Sequence, residues 1–142
     1  MPKYSLLALC LVFCLSGCNR DDDVHAFSQN LDSFTNEVMD RMEGDGDLSG
    51  RVDAAQAYVD ENGPALHAEY MDIAQVRGFQ LSNEASDELV TSVTRNSIRV
   101  MGLQLEHVGA TFNNRDLDQR LGHLSESYEG ILELPEAEQA SF

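Results

Sequence analysis

Four apolar stripes at helical spacing predict an all-α protein, folded as an antiparallel four-helix bundle with a kinked second helix. Two further observations support that class. No stretch alternates apolar and polar residues at period two with β-branched side chains, so no strand is predicted. Short clusters of Gly, Asn, Asp and Pro separate the stripes, and connections of a few residues imply antiparallel neighbours.

The first stripe is Val24, Phe27, Leu31, Phe34, Val38 and Met42, recurring at steps of three and four residues over a helix of about twenty. Gly44-Asp45-Gly46-Asp47 ends it, because two glycines and two short acids favour turn conformations. In the second stripe Val52, Val59, Leu66 and Ile73 fall seven apart, with Ala55, Gly63 and Tyr70 near the interleaved positions. Asn62-Gly63-Pro64 interrupts this segment, since Pro lacks a backbone donor and crowds the preceding turn. The apolar phase is nevertheless the same on both sides, which predicts a kinked or closely stacked helix over 51–77 and no reversal of direction.

Gly78 closes the second segment, and Ser82 is the expected N-cap of the third, before Asn83-Glu84. The third stripe is Val90, Thr94, Ile98, Met101, Leu105, Val108 and Phe112, predicted to face the core along about thirty residues. Its first half also carries Ser86, Thr91, Ser92 and Ser97, so that polar end, with the Gly-Pro site of the second helix, is where a groove could open. Asn113-Asn114 is the next break. Leu117, Leu121, Leu124, Tyr128 and Ile131 then define the cleanest stripe, which Leu134-Pro135 ends before an acidic tail.

The N-terminus reads as an address. Lys3 precedes a ten-residue apolar run, Leu6 to Leu15, about half the ~20 residues a membrane-crossing helix needs. The sequence that follows, Leu15-Ser16-Gly17-Cys18, resembles the lipobox of bacterial lipoproteins. That resemblance implies cleavage before Cys18 and a diacylglycerol in thioether linkage on its sulfur, usually joined by an amide-linked acyl chain in Gram-negative bacteria. Several acyl chains make a stable anchor where a single one does not. Asn19 follows the cysteine, where an Asp in enterobacterial lipoproteins favours inner-membrane retention, so the resemblance tilts towards the outer membrane. The expected organisation is a signal peptide over 1–17, a lipidated cysteine and acidic tether over 18–23, a helical domain over 24–133 and an acidic tail over 134–142.

Composition narrows the function classes. The 142 residues hold 9 Lys and Arg against 25 Asp and Glu, a net charge of -16. Nucleic-acid binding needs a basic face that displaces counterions from phosphate, so that class is excluded. All three cysteines, Cys10, Cys14 and Cys18, lie in the first eighteen residues, which leaves no disulfide framework and no Cys-based zinc site downstream.

One stretch resembles a metal site. Asp45-Gly46-Asp47-Leu48-Ser49-Gly50-Arg51-Val52-Asp53-Ala54-Ala55-Gln56 is similar to an EF-hand loop, in which alternate oxygens converge on calcium and a central Gly makes the sharp turn. The resemblance implies Asp45, Asp47, Ser49 and Asp53 as calcium ligands. It departs from the family at Gln56, where a bidentate Glu belongs, and at Gly44, where an apolar residue is usual. The competing expectation is an acidic helix–helix turn in which Asp47 or Ser49 caps the second helix.

His25, His67, His107 and His123 include no Glu-x-x-His pair of the kind that di-iron bundles use. His67 and Met71, one turn apart, suit a soft ion such as Cu(I), and equally a surface histidine beside a core methionine. No activated-serine motif, free thiol or phosphate loop is present, and His123 with Glu126 is a common surface pairing. The sequence therefore predicts no enzyme and no cofactor beyond weakly held calcium. It predicts a small acidic lipid-anchored envelope protein, membrane-attached through Cys18, that contacts an envelope partner of basic character. A calcium-responsive helical module is the alternative.

Overall fold

The computed structural model describes residues 20–75 and 80–134, and every described element is helical. Cys18, residues 76–79 and the acidic tail from 135 onward lie outside the described residues. The elements are α1 (Asp21–Glu43), α2 (Leu48–Ala74), α3 (Asn83–Glu106), α4 (Val108–Thr111) and α5 (Arg115–Ile131).

Local chemistry explains most boundaries. Asp21, Asp22 and Asp23 form the first turn of α1, where carboxylates meet the positive end of the helix dipole. These acids, expected to be a tether, are therefore part of the folded domain. Gly46 carries the turn into α2 at φ 111°, a backbone conformation that L side chains rarely adopt. Asp47 then caps α2, its Oδ1 accepting from Gly50 N at 2.7 Å. Ser82 caps α3 by accepting from Ala85 N at 3.1 Å, and Asn114 caps α5 by accepting from Leu117 N at 3.1 Å. Pro64 sits inside α2, which is assigned as one helix on both sides of it. The long third helix expected from the sequence is divided at His107 into α3 and α4.

Each long helix has two principal neighbours: α1 with α2 and α3, and α5 with the same two. The pair α1–α2 is antiparallel, since Arg20 meets Asp72 near one end and Arg51 reaches Met42 O at the other. The pair α1–α3 is parallel. His25 bonds Glu88, Asp32 bonds Arg95 and Asn36 bonds Arg99, each across 63 residues. Helices α2 and α5 are also parallel, with Asp53 beside Arg120, Gln56 beside Ser127 and His67 beside Ile131. Short connections had implied antiparallel neighbours throughout. Instead α2 and α3, consecutive in sequence, are diagonal, and α3 starts beside the start of α1. Gln80 O accepts from Arg20 N at 3.0 Å there, and Asp21 Oδ1 accepts from Ser82 N at 2.9 Å.

The core gathers Val24, Phe27, Leu31, Val38 and Met42 of α1 with Leu121, Leu124 and Tyr128 of α5, and the inward faces of α2 and α3. Thr35 gives its hydroxyl hydrogen to Leu31 O at 2.8 Å, so the Tyr128 hydroxyl donates to Thr35 Oγ1 at 2.5 Å. Burial pushes the Tyr128 hydroxyl up to about 12. At Gly63 a Cβ would stand 2.9 Å from Ile131 Cδ1, so glycine permits the close approach of α2 and α5.

Candidate functional site

Helix α3 buries the face opposite to the one its sequence predicts. Ala85, Ser92, Asn96, Val100 and Leu103 are buried, with Leu89 and Val93 packed beside the core. The predicted core stripe points outward: Val90, Ile98, Met101 and Leu105 are exposed, Leu105 to 78%. On α4 and just after it, Val108 and Phe112 continue the exposed series, Phe112 at 82%. The helix carries apolar residues on two faces, and α1 offers polar partners to only one of them.

Those partners form a row along the α1–α3 boundary. Asn96, with none of its surface exposed, donates from Nδ2 to Asp32 Oδ1 at 2.6 Å and to Ser92 O at 2.9 Å. Arg95 binds both oxygens of Asp32, at 2.6 and 2.8 Å, and Arg99 donates to Asn36 at 2.9 Å. Partial burial pushes the Asp32 carboxyl up, but hydrogen bonds from Asn96 and Arg95 outweigh it and hold the group below its usual range. A buried amide with satisfied donors is tolerated, whereas unpaired it would cost ~1–3 kcal/mol. Ser92 and Asn96 thus turn inward, and Ile98 and Met101 turn out.

The outer face has its own electrostatics. Between Glu88 and Asp116 the one acidic residue is Glu106, against Arg95, Arg99 and Arg115. A chain of net charge -16 therefore places its exposed apolar stripe on the least acidic stretch of its described residues. Gly102 and Gly109 flank the stripe, and a Cβ on either would meet nothing within 4 Å. Acids concentrate next to it instead, in a groove of about 570 Å³ between α1 and α3 lined by Glu84, Asp87 and Glu88.

The residues read as calcium ligands are held otherwise. Helix α2 begins at Leu48, inside the expected loop, so Ser49 and Asp53 are helical. Asp47 is engaged as the N-cap, and Arg120 binds Asp53 at 2.6 Å and also donates to Ser49. The cation shared by Ser49 and Asp53 is thus a guanidinium from α5, while Asp45 lies exposed in the turn. Among the described residues no group of three or more His, Cys, Asp or Glu is arranged to hold a metal ion. His67 donates from Nδ1 to Ile131 O at 2.8 Å, which ties it to the end of α5. Met71 is half-buried one turn away.

Among the described residues, no helix is long and apolar enough to cross a membrane. Compared with known proteins, the chain matches no family model, no curated protein and no solved structure. Sequence reasoning named the side chains of the outward stripe but assigned them to the core. The signal that distinguishes the two faces is the polar triad Ser92, Asn96 and Arg99, which needs Asp32 and Asn36 opposite it to be read.

Proposed function

We propose that this chain is a lipid-anchored envelope protein that acts by non-catalytic protein contact, with the outer face of α3 as its contact surface. One observation carries the reading: six large apolar side chains stand exposed between Val90 and Phe112 on an otherwise acidic molecule. Monomeric soluble proteins rarely leave such a stripe uncovered, and contiguous exposed apolar patches mark interaction sites. The basic partner expected from overall charge is not what this face favours, since its flanking charges are three Arg against one Glu. Apolar contact is the proposed attraction, and the surrounding acids discourage unspecific association.

Attachment rests on the lipobox resemblance at Cys18, and with it the outer-membrane location and a domain facing the periplasm or the cell exterior. Because α1 starts at Asp21, such an anchor would hold the domain close to the bilayer. Cys18→Ser should leave an unlipidated, uncleaved precursor, and mass spectrometry of the wild-type chain should find a diacylglycerol on Cys18. For the contact surface, a photo-crosslinking amino acid at Leu105, read in the intact envelope, should capture protein. The same group at exposed Glu61 of α2 should not. Equal capture at both positions, or none at Leu105, refutes the assignment of the surface.

A further inference from the structure

We infer that the partner on the α3 face is a second copy of this chain, packed antiparallel across a two-fold axis. The inference rests on the contact surface proposed above and names its occupant. Thr94, Ile98, Met101 and Leu105 follow one another at steps of four, three and four. That is the narrow seam by which one helix meets another, with knobs seated between residues of the facing helix. A helix lying in a membrane interface presents a broad apolar face and a strongly charged opposite face. Here the opposite face, with Asn96 and Val100, is buried in the bundle.

The rim of the seam carries one charge, Arg95 beside Thr94, and is uncharged along Ile98, Met101 and Leu105. Ser97, Gly102 and Gln104 flank Ile98, Met101 and Leu105. Rim charges ordinarily select one helix partner over another, and like charges there exclude self-association. A rim with one Arg and no acid sets no carboxylate against its equivalent when a second copy docks, despite the net charge of -16 on each. The open space beside Gly102 and Gly109 lets two backbones approach closely.

Area and orientation are consistent with this occupant. Covering the exposed side chains from Val90 to Phe112 on two copies removes on the order of 1,000 Å², which is what a specific interface requires. Parallel pairing would set the acids at the start of α3, Glu84, Asp87 and Glu88, beside their equivalents. Antiparallel pairing carries them to opposite ends, towards the segment of the other copy that bears Arg115.

The test uses the full chain extracted from the envelope in mild detergent, with its mass followed by sedimentation velocity over a dilution series. The expected result is a dimer that Leu105→Asp weakens about 100-fold or more, with the helical spectrum of the chain unchanged. The photo-crosslinker at Leu105 should join two copies, and peptide mapping should place the junction in the partner's 94–101 segment. A monomer at all concentrations overturns the inference, as does a dimer indifferent to Leu105→Asp. If that monomer is crosslinked at Leu105 to a different protein, the contact surface stands and only its occupant is wrong. If it instead binds vesicles of phosphatidylethanolamine and phosphatidylglycerol through Leu105, both the inference and the protein-contact reading fail.

Discussion

Asn96 donates to Asp32 at 2.6 Å from a fully buried position, and this bond joins two parallel helices at the level where α3 turns its apolar stripe outward. Its energetic weight comes from the alternative. Rotating α3 to bury Ile98 and Met101 would expose Val100 and Leu103 and leave Asp32 without its amide donor. Hydrophobic burial alone is nearly indifferent between the two faces, so the polar row decides.

The Asp32 carboxyl should therefore make stability depend on acid. Its value in the fold lies below the unfolded value of about 3.9, so its contribution is present above that pH and fades as pH falls through the folded value. Asp32→Asn should lower the melting temperature at neutral pH and flatten the part of the acid limb that this group supplies. A melting curve unchanged at neutral pH would show that the α1–α3 clasp contributes nothing.

Tyr128 should supply an alkaline limb. Its hydroxyl is held at about 12 in the fold, whereas an unfolded tyrosine ionises near pH 10. Stability from this group is fully present below about pH 10 and is lost as pH rises towards 12. Tyr128→Phe should cost about 0.5–1.5 kcal/mol at neutral pH, through the lost bond to Thr35, and should remove this limb. Chemical denaturation at pH 7 and pH 11 measures both effects.

Leu121 tests the core. It is fully buried at the centre of the α5 stripe, so Leu121→Ala should cost about 2–5 kcal/mol in chemical denaturation. A cost below 1 kcal/mol, an order-of-magnitude threshold well under that range, would remove α5 from the core as described.

Calcium should act as a screening ion. With a net charge of -16, divalent cations relieve self-repulsion without needing one site. Because Asp47 caps α2 and Arg120 occupies Ser49 and Asp53, Asp45→Asn should reduce calcium stabilisation no more than Glu61→Gln does. Magnesium should substitute for calcium in both variants. Selective loss with Asp45→Asn, and failure of magnesium, would restore the loop as a calcium site.

The helical class and much of the capping were legible because they depend on residues near one another in the chain. The stripe Val24, Phe27, Leu31, Phe34, Val38 and Met42 is buried as its spacing predicts, and so is Leu117, Leu121, Leu124, Tyr128 and Ile131. In both helices one face is apolar and the other polar, so periodicity alone selects the inward side. Ser82 and Asp47 cap their helices because a short side-chain oxygen reaches an unpaired amide of its own first turn. The oxygen spacing of the 45–56 loop was readable in the sequence, while the competing guanidinium of Arg120, 67 residues from Asp53, was not.

Helix α3 marks the division. Its sequence has two apolar faces, Leu89, Val93, Val100 and Leu103 on one and Val90, Ile98, Met101 and Leu105 on the other, and local spacing weighs them alike. Only the placement of α1 alongside it, parallel and offset by 63 residues at Asp32 and Arg95, supplies hydrogen-bond partners to Arg95, Asn96 and Arg99. Elements with a single apolar face are determined by the chain itself, because burying that face is the one favourable outcome. An element with two is decided by its neighbours, because the cost of leaving buried polar groups unpaired depends on what stands opposite them.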